Sequence, residues 1–455
     1  MYHRHLVASM NWLTRHRFEL YIRNALWLFP TIAAFGGLIS VNILHWVELA
    51  FDLHSTMSTD LGRGIMSTVA GSLFSLMVLV SSAVLVAVQL ASAQLTPRVV
   101  AVIYRDPFRK LALSTFAFTF TFSVGALARM EERVSLLTTY VAAYGFLFNL
   151  ALFLYFIDGI GKALRPSYIL RLLALKGRTV VKEVYPFELT KENSVRPPPL
   201  EINETSVRVV PNEVDGVLLA YDLNGLISLA EKSDCIIEMV PEVGDFVAAE
   251  DALFVVYGNS ASLSDEALKT SVALGDERTL EQDPMFPFRV MVDIASRALS
   301  PAINDPTTAV LAIDQIQHLL REVGKRYLAE GRVSDANGKL RFVYNTPNWE
   351  DFVNLAATEI RLYGRDSVQV MRRLRSMFES LESTLPELRH AKLHEQIRLL
   401  DDSVENTFAA KEDQAMSLLG DFQGLGGSRE AHSNRKTRRR LAAKAVSQSD
   451  GRKRS

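Results

Sequence analysis

The sequence predicts an α-helical membrane domain of four transmembrane helices, joined to a cytoplasmic α+β domain with a small β-rich module and a helical C-terminal part. Three observations carry this expectation. Four long stretches in the first third contain no Asp, Glu, Lys or Arg. The Lys and Arg flanking them favour alternate sides. The apolar period then shortens to strand-like runs over 206–257 before it turns helical again. Averages conceal the division, because 48% hydrophobic and 22% charged residues over 455 positions are ordinary for a soluble protein.

The charge-free stretches are 24–47, 64–97, 111–128 and 134–157. A hydrocarbon core of about 30 Å needs roughly 20 helical residues, and charges near its centre are costly, so each stretch reads as a span. A cleaved signal peptide does not fit, since the first stretch is too long, lacks a small-residue cleavage site and is followed by three more. Arg4, Arg15, Arg17 and Arg23 precede the first span, whereas Glu48, Asp52 and Asp60, with Arg63 alone, follow it. Arg98, Arg105, Arg109 and Lys110 outnumber Asp106 after the second span, and Lys162, Arg165, Arg171, Lys176, Arg178 and Lys182 follow the fourth. The N-terminus and the whole C-terminal portion are therefore expected in the cytoplasm, with the balanced loop 129–133 outside. The single cysteine, Cys235, agrees with a reducing compartment.

The second stretch, 34 residues long, would reach roughly 51 Å as a helix, so its inner end should project beyond the hydrocarbon or break near Pro97. Thr68, Ser75, Ser82, Gln89 and Thr96 recur along it every seven residues and form a polar stripe, with Ser72 and Ser92 close beside it. Two readings follow. Small hydroxyl residues let transmembrane helices approach and hydrogen-bond, or the stripe lines an aqueous pathway in an oligomer. Asp158 near Lys162 suits the interface, and the alternating Phe116, Phe118, Phe120 and Phe122 would wrap around their helix without an assigned role.

The boundaries expected are 1–20 for a cytoplasmic flank, 21–162 for the membrane domain, 163–205 for a connector and linker, 206–260 for the β-rich module, 261–425 for the helical domain and 426–455 for a basic tail. Residues 165–182 read as an amphipathic helix lying on the membrane surface, and Pro186 with Pro197, Pro198 and Pro199 marks a linker. Strands are expected at 207–210, 216–221, 235–240 and 252–257. The Gly244–Asp245 turn and the following apolar run resemble biotinyl and lipoyl carriers, without a lysine at a hairpin tip. From Ser428 onward ten Lys or Arg face two acids, so the tail is expected to be disordered and to contact anionic lipid, with RNA as a rival partner. No specific nucleic-acid partner is expected.

Between Gly275 and Ala309 lies a polar cluster, a helix carrying Met291, Ile294, Ala295, Ala298 and Leu299, and a corner. Asp305 before Pro306 should cap a second helix striped by Val310, Ile313, Ile316 and Leu320. The corner is either structural or part of an anion or ligand site built from Arg278, Arg297, Asn304 and Asp305 at the start of that helix. Farther on, Phe352, Leu355, Ala356 and Tyr363, then Val370 to Leu381, then a helix from His390, read as packing faces.

The segments SRALSPAINDPTTA, RTLEQD and QLASAQLTPRVV, three motifs that occur in the right order along the chain, make it resemble the bacterial family catalogued as domain of unknown function 2254 over most of residues 10–425. The resemblance implies a multi-pass membrane protein of the bacterial inner membrane and assigns no activity. Ala302 and Thr307 stand where the family usually has Gly and Phe. No phosphate loop, paired-cysteine motif, zinc-protease motif or nucleophile elbow occurs, and His318, His390 and His394 have no carboxylate grouping. We therefore expect no enzyme, no metal and no cofactor. The expected function is an oligomeric channel or transport-related protein with a cytoplasmic regulatory domain, with a membrane-anchored ligand-binding or scaffold protein as the alternative.

Overall fold

A computed structural model describes residues 11–51, 58–100, 107–129, 136–190, 206–259, 262–328 and 331–425. Arg4, Asp52, Arg105, Asp106, most of the loop 129–133, the triple proline and the basic tail lie outside the described residues. The described chain divides into two compact units, one holding Phe18–Ile169 and the other the residues on either side.

The first unit is helical. Helix α1 (Trp12–Asn24) runs into it, followed by α2 (Leu28–Ala50), α3 (Thr59–Gln94), α4 (Pro107–Leu127) and α5 (Leu136–Ala163). Among the described residues, four helices are long and apolar enough to cross a membrane: Leu28–Glu48, Thr59–Gln94, Pro107–Leu127 and Leu137–Ala163. Helix α3 has 36 residues and ends at Gln94, with Leu95 out of helical geometry. The break before Pro97 is the one expected, because proline crowds the helical conformation of its predecessor. Met66 clusters with Val41, Phe122 and Ala126, which places that part of α3 level with the Leu127 end of α4. The surplus length of α3, about 54 Å against about 32 Å for the 21 residues of α4, therefore extends past the Pro107 end.

Close contact and polar bonds join these helices. A Cβ on Gly37 of α2 would lie 2.4 Å from both the Phe118 carbonyl oxygen and Thr121 Oγ1 of α4. Only glycine permits that approach, and Thr121 Oγ1 uses it to donate to the Ala34 carbonyl at 2.8 Å. Asn149 of α5, fully buried, donates through Nδ2 to Thr119 Oγ1 at 2.8 Å. Glu48 Oε1 accepts from the Leu137 and Thr138 amides at 2.8 and 3.2 Å, so an acid that looked like a loop residue caps the start of α5. Lys110 Nζ reciprocally donates to the Ile22 and Arg23 carbonyls at 2.9 and 2.7 Å, at the end of α1. Asp158 and Lys162 pair one turn apart on the surface, and the alternating phenylalanines wrap their helix, with Phe116 and Phe122 buried.

The second unit begins in α6 (Pro166–Val184) and is built on two sheets. Four expected strands appear as β1 (Val207–Pro211), β2 (Gly216–Tyr221), β3 (Cys235–Met239) and β5 (Ala252–Gly258). Shorter β4 (Phe246–Val247), β6 (Val272–Gly275), β7 (Arg332–Ser334) and β8 (Leu340–Tyr344) complete them. Five strands order as β1-β5-β3-β8-β7 and three as β4-β2-β6. Pairing is antiparallel except between β3 and β8, so a strand from residues 340–344 enters the sheet begun at 207. Helix α7 (Leu223–Ser233), capped by the Asp222 side chain, packs its Leu226 and Ala230 into a core with Leu218, Ile237, Phe254 and Phe342. On the other sheet, Trp12 and Leu13 of α1 pack against Leu219, Ala220 and Ala273.

The helical portion comprises α8 (Asp265–Lys269), α9 (Phe286–Ala298), α10 (Pro306–Gly324), α11 (Trp349–Tyr363), α12 (Val368–Glu382), α13 (His390–Thr407) and α14 (Lys411–Ser417). Met291, Ile294, Ala295 and Ala298 of α9 are buried, as are Val310, Ile313, Ile316 and Leu320 of α10. Tyr363 departs from its expected packing face and is exposed. Helix α6 forms where expected, and much of its apolar face is buried in protein. Leu170, Leu173 and Val181 are buried, and a Cβ on Gly177 would meet Leu319 and Pro287 at 2.9 Å. An amphipathic face reads the same in sequence whichever apolar medium covers it.

The Gly37 contact generates a test. Gly37→Val should cost about 1–3 kcal/mol through overpacking and lower the unfolding temperature of the purified protein by several degrees. Gly159→Ala, whose Cβ meets nothing within 4 Å, should leave it nearly unchanged, and equal effects of the two would refute the close approach.

Candidate functional site

Two regions carry candidate chemistry, one in each unit. On α3, Met66, Leu73, Val80 and Ala87 recur every seven residues and are all buried. Thr68, Ser75, Ser82 and Gln89 lie two positions further along, about 200° around a helix of 3.6 residues per turn, and all four are exposed. The stripe therefore faces away from the other helices of its own chain. Thr68 Oγ1 and Ser75 Oγ donate to the carbonyls of Gly64 and Gly71 one turn back, at 2.7 and 3.0 Å. Gly64 and Gly71 border the stripe, and a Cβ on either would meet nothing. Thr96 does not join it, since it follows the end of α3 and is buried.

In the second unit, the loop between β6 and α9 is held by its own side chains. Gln282 bridges the backbone of Tyr221, accepting from its amide at 3.1 Å and donating to its carbonyl at 3.4 Å. Asp283 Oδ1 accepts from the Met285 and Phe286 amides, each at 2.9 Å, at the start of α9. Arg278 Nε donates to the Gly244 carbonyl at 2.7 Å, and its Nη1 lies 3.8 Å from Asp283 Oδ2. Gly244 has φ +100°, and a Cβ there would sit 2.6 Å from Asp283 Oδ2, so both conformation and space require glycine. Arg278 thus ties one turn to the other.

The remaining corner residues lie elsewhere. Arg297 is at the far end of α9 from Asp283, about 20 Å away along a 13-residue helix. Its side chain is exposed, while its carbonyl accepts from Ser300 Oγ at 2.7 Å. Asp305 closes the corner: its amide donates to the Ala298 carbonyl at 2.7 Å, and its carboxylate accepts from the Thr308 amide and hydroxyl. That carboxylate occupies the mouth of α10, where an anion would have to sit. Asn304 carries the corner's left-handed turn at φ 47°, a conformation Asn tolerates, so Ala302 needs no glycine. The structure therefore does not bring Arg278 and Arg297 together, and the corner reads as structural.

Beside the loop lies a cavity of about 240 Å³, lined by Glu183, Tyr221, Glu281, Gln282, Tyr344 and Thr346 among others. Of these, Glu281 and Gln282 belong to the polar cluster and Tyr221 to a strand that sequence singled out, none of them as a cavity residue. Tyr221 and Tyr344 come from strands more than a hundred residues apart, and no spacing connects them.

Comparison with known proteins places the chain. Residues 23–380 match the model of the family described as predicted membrane protein DUF2254. The chain belongs to this family. An uncharacterized protein of Mycobacterium bovis and another of Mycobacterium tuberculosis are each 27% identical over 436 residues, covering 91% of this chain and 83% of the relative. No solved structure matches it. The match takes in all four candidate spans, both sheets and the Arg278 loop, so the features described above belong to the family's matched region.

The buried Asp283 gives a pH test. Burial raises its carboxyl to about 6, outweighing the Arg278 guanidinium and the two amide bonds, and among the described residues Oδ2 has no hydrogen-bond partner. A carboxyl raised above its unfolded value of about 3.9 contributes stability below that value, and this contribution is lost as pH rises through about 6. Asp283→Asn should thus gain on the wild type by about 1 kcal/mol between about pH 5 and pH 7.5 in thermal unfolding. A difference that stays flat over that window would exclude the buried ionisation.

Proposed function

We propose that the protein works as a homo-oligomer in the bacterial cytoplasmic membrane, with both termini in the cytoplasm. In this reading the α3 helices of several copies meet along their polar faces and line a pathway for ions or small solutes, and the second unit regulates it. The observation that supports it is the outward position of Thr68, Ser75, Ser82 and Gln89, directly opposite the buried stripe of the same helix. The serine and threonine hydroxyls can satisfy themselves on their own helix, but an outward-facing Gln amide in or near hydrocarbon favours a polar partner or water. Gly64 and Gly71 beside them leave room for another backbone. The excess of Lys and Arg on alternate flanks supports the orientation, and the basic tail would add contact with anionic lipid.

The alternative, spans that anchor a ligand-binding unit, draws on the cavity beside Glu281. Reconstitution separates the two. Wild-type protein in planar bilayers should conduct, and the combined change Ser75→Leu, Ser82→Leu and Gln89→Leu should reduce conductance at least tenfold. Native mass spectrometry from nanodiscs should show an oligomer for the wild type. A monomer, or a triple variant that conducts like the wild type, would remove the pathway reading and leave the anchored ligand-binding unit.

A further inference from the structure

The cavity of the second unit has walls of one electrical character. Its lining includes Glu183, Glu281, Tyr221, Tyr344, Gln282, Asn345 and Thr346, and among the described residues it includes no Lys, Arg or His. Apolar lining comes from Val184, Leu223, Val243 and two prolines. The Tyr221 and Tyr344 rings lie 5.5 Å apart, backed by Phe342, whose ring is 5.8 and 5.4 Å from theirs. Behind them the buried Tyr185 hydroxyl donates to the Pro347 carbonyl at 3.1 Å, which steadies the segment that supplies Asn345 and Thr346.

Further carboxylates gather just outside the lining, together with the guanidinium of Arg278 and the imidazole of His16. Glu242, next to the lining residue Val243, is raised by burial and then by the neighbouring carboxylates of Asp245, Asp351 and Asp283. The guanidinium of Arg278 is directed to the Gly244 carbonyl and Asp283. An anion would meet repulsion from the two glutamates, and a neutral apolar ligand would gain nothing from them. A divalent metal fares no better, since among the described residues no group of three His, Cys, Asp or Glu is placed to hold one. An organic cation meets each wall favourably, with carboxylates for its charge and aromatic rings for its hydrocarbon and its field.

We propose that this cavity binds a small organic ammonium ion, with Glu183 and Glu281 as counter-charges and Tyr221 and Tyr344 as the aromatic wall. The cavity's volume suits a ligand of few heavy atoms, smaller than those of the usual 300–1,000 Å³ sites. The chain passes between the two units once within α1 and once at α6. Helix α6 supplies Glu183 and Val184 to the cavity, and His16 of α1 faces Glu281 at 3.9 Å. A cation seated on Glu281 would compete with His16 for that carboxylate. This inference is independent of conduction, because it concerns the second unit alone.

Isothermal titration of the full-length protein in nanodiscs tests it, with putrescine and choline as probes and magnesium, inorganic phosphate and glycerol as controls. One of the two cations should bind saturably, at one site per chain, and the controls should not. Glu281→Gln and Tyr344→Leu should each weaken binding at least tenfold, and Arg297→Ala should not change it. Glu183→Gln alters an exposed side chain and so tests the counter-charge without threatening the fold; it too should weaken binding. The proposal is overturned if neither cation saturates, if Glu183→Gln and Glu281→Gln both bind as the wild type does, or if magnesium, phosphate or glycerol binds in their place.

Discussion

In hydrocarbon a peptide group without a hydrogen-bond partner costs several kcal/mol, and the first unit is shaped by that cost. Each span must close its own backbone bonds as a helix, and the groups left over at helix ends must find side chains. Glu48 meets the free amides at the start of α5, and Lys110 meets the last carbonyls of α1. Both residues look like topogenic loop charges in sequence. Their burial shows that a charge can mark the membrane boundary and also complete a helix terminus.

Once the helices are closed, lipid offers no hydrophobic gain for bringing them together, so contact geometry decides which faces meet. Gly37 lets α2 approach the α4 backbone, and the Thr121 and Asn149 bonds fix the approach and tie α4 to α5. Helix α3 presents Met66, Leu73, Val80 and Ala87 to its neighbours, which leaves the polar residues two positions along on the outer surface. One heptad spacing thereby generates both an intramolecular seam and a face unclaimed by the chain's own helices.

The second unit packs by the rules of water-soluble proteins, and its cavity arises where separate segments lock. Gly244, Arg278 and Asp283 fit only because one residue has no side chain, one supplies donors and one accepts at a helix start. The same loop supplies Glu281 and Gln282 to the cavity. Residues that form a motif in sequence are here divided between holding the turn and facing the space beside it.

Sequence by itself determined the four spans, the helix break ahead of Pro97, four of the strands and the Asp305 cap, because each depends on neighbours within a few turns of chain. Hydropathy, proline sterics and side-chain period act locally and survive without a fold. Tertiary structure alone decided that α6 buries its apolar face on Pro287 and Leu319, that Thr96 leaves the polar stripe, and that Arg278 pairs with Gly244 and Asp283 rather than with Arg297. It alone joined β3 to β8 and set Tyr221, Tyr344, Glu183 and Glu281 around one cavity. Those outcomes depend on packing between segments remote in sequence, where an apolar face or a charge states what it needs and leaves open which partner supplies it.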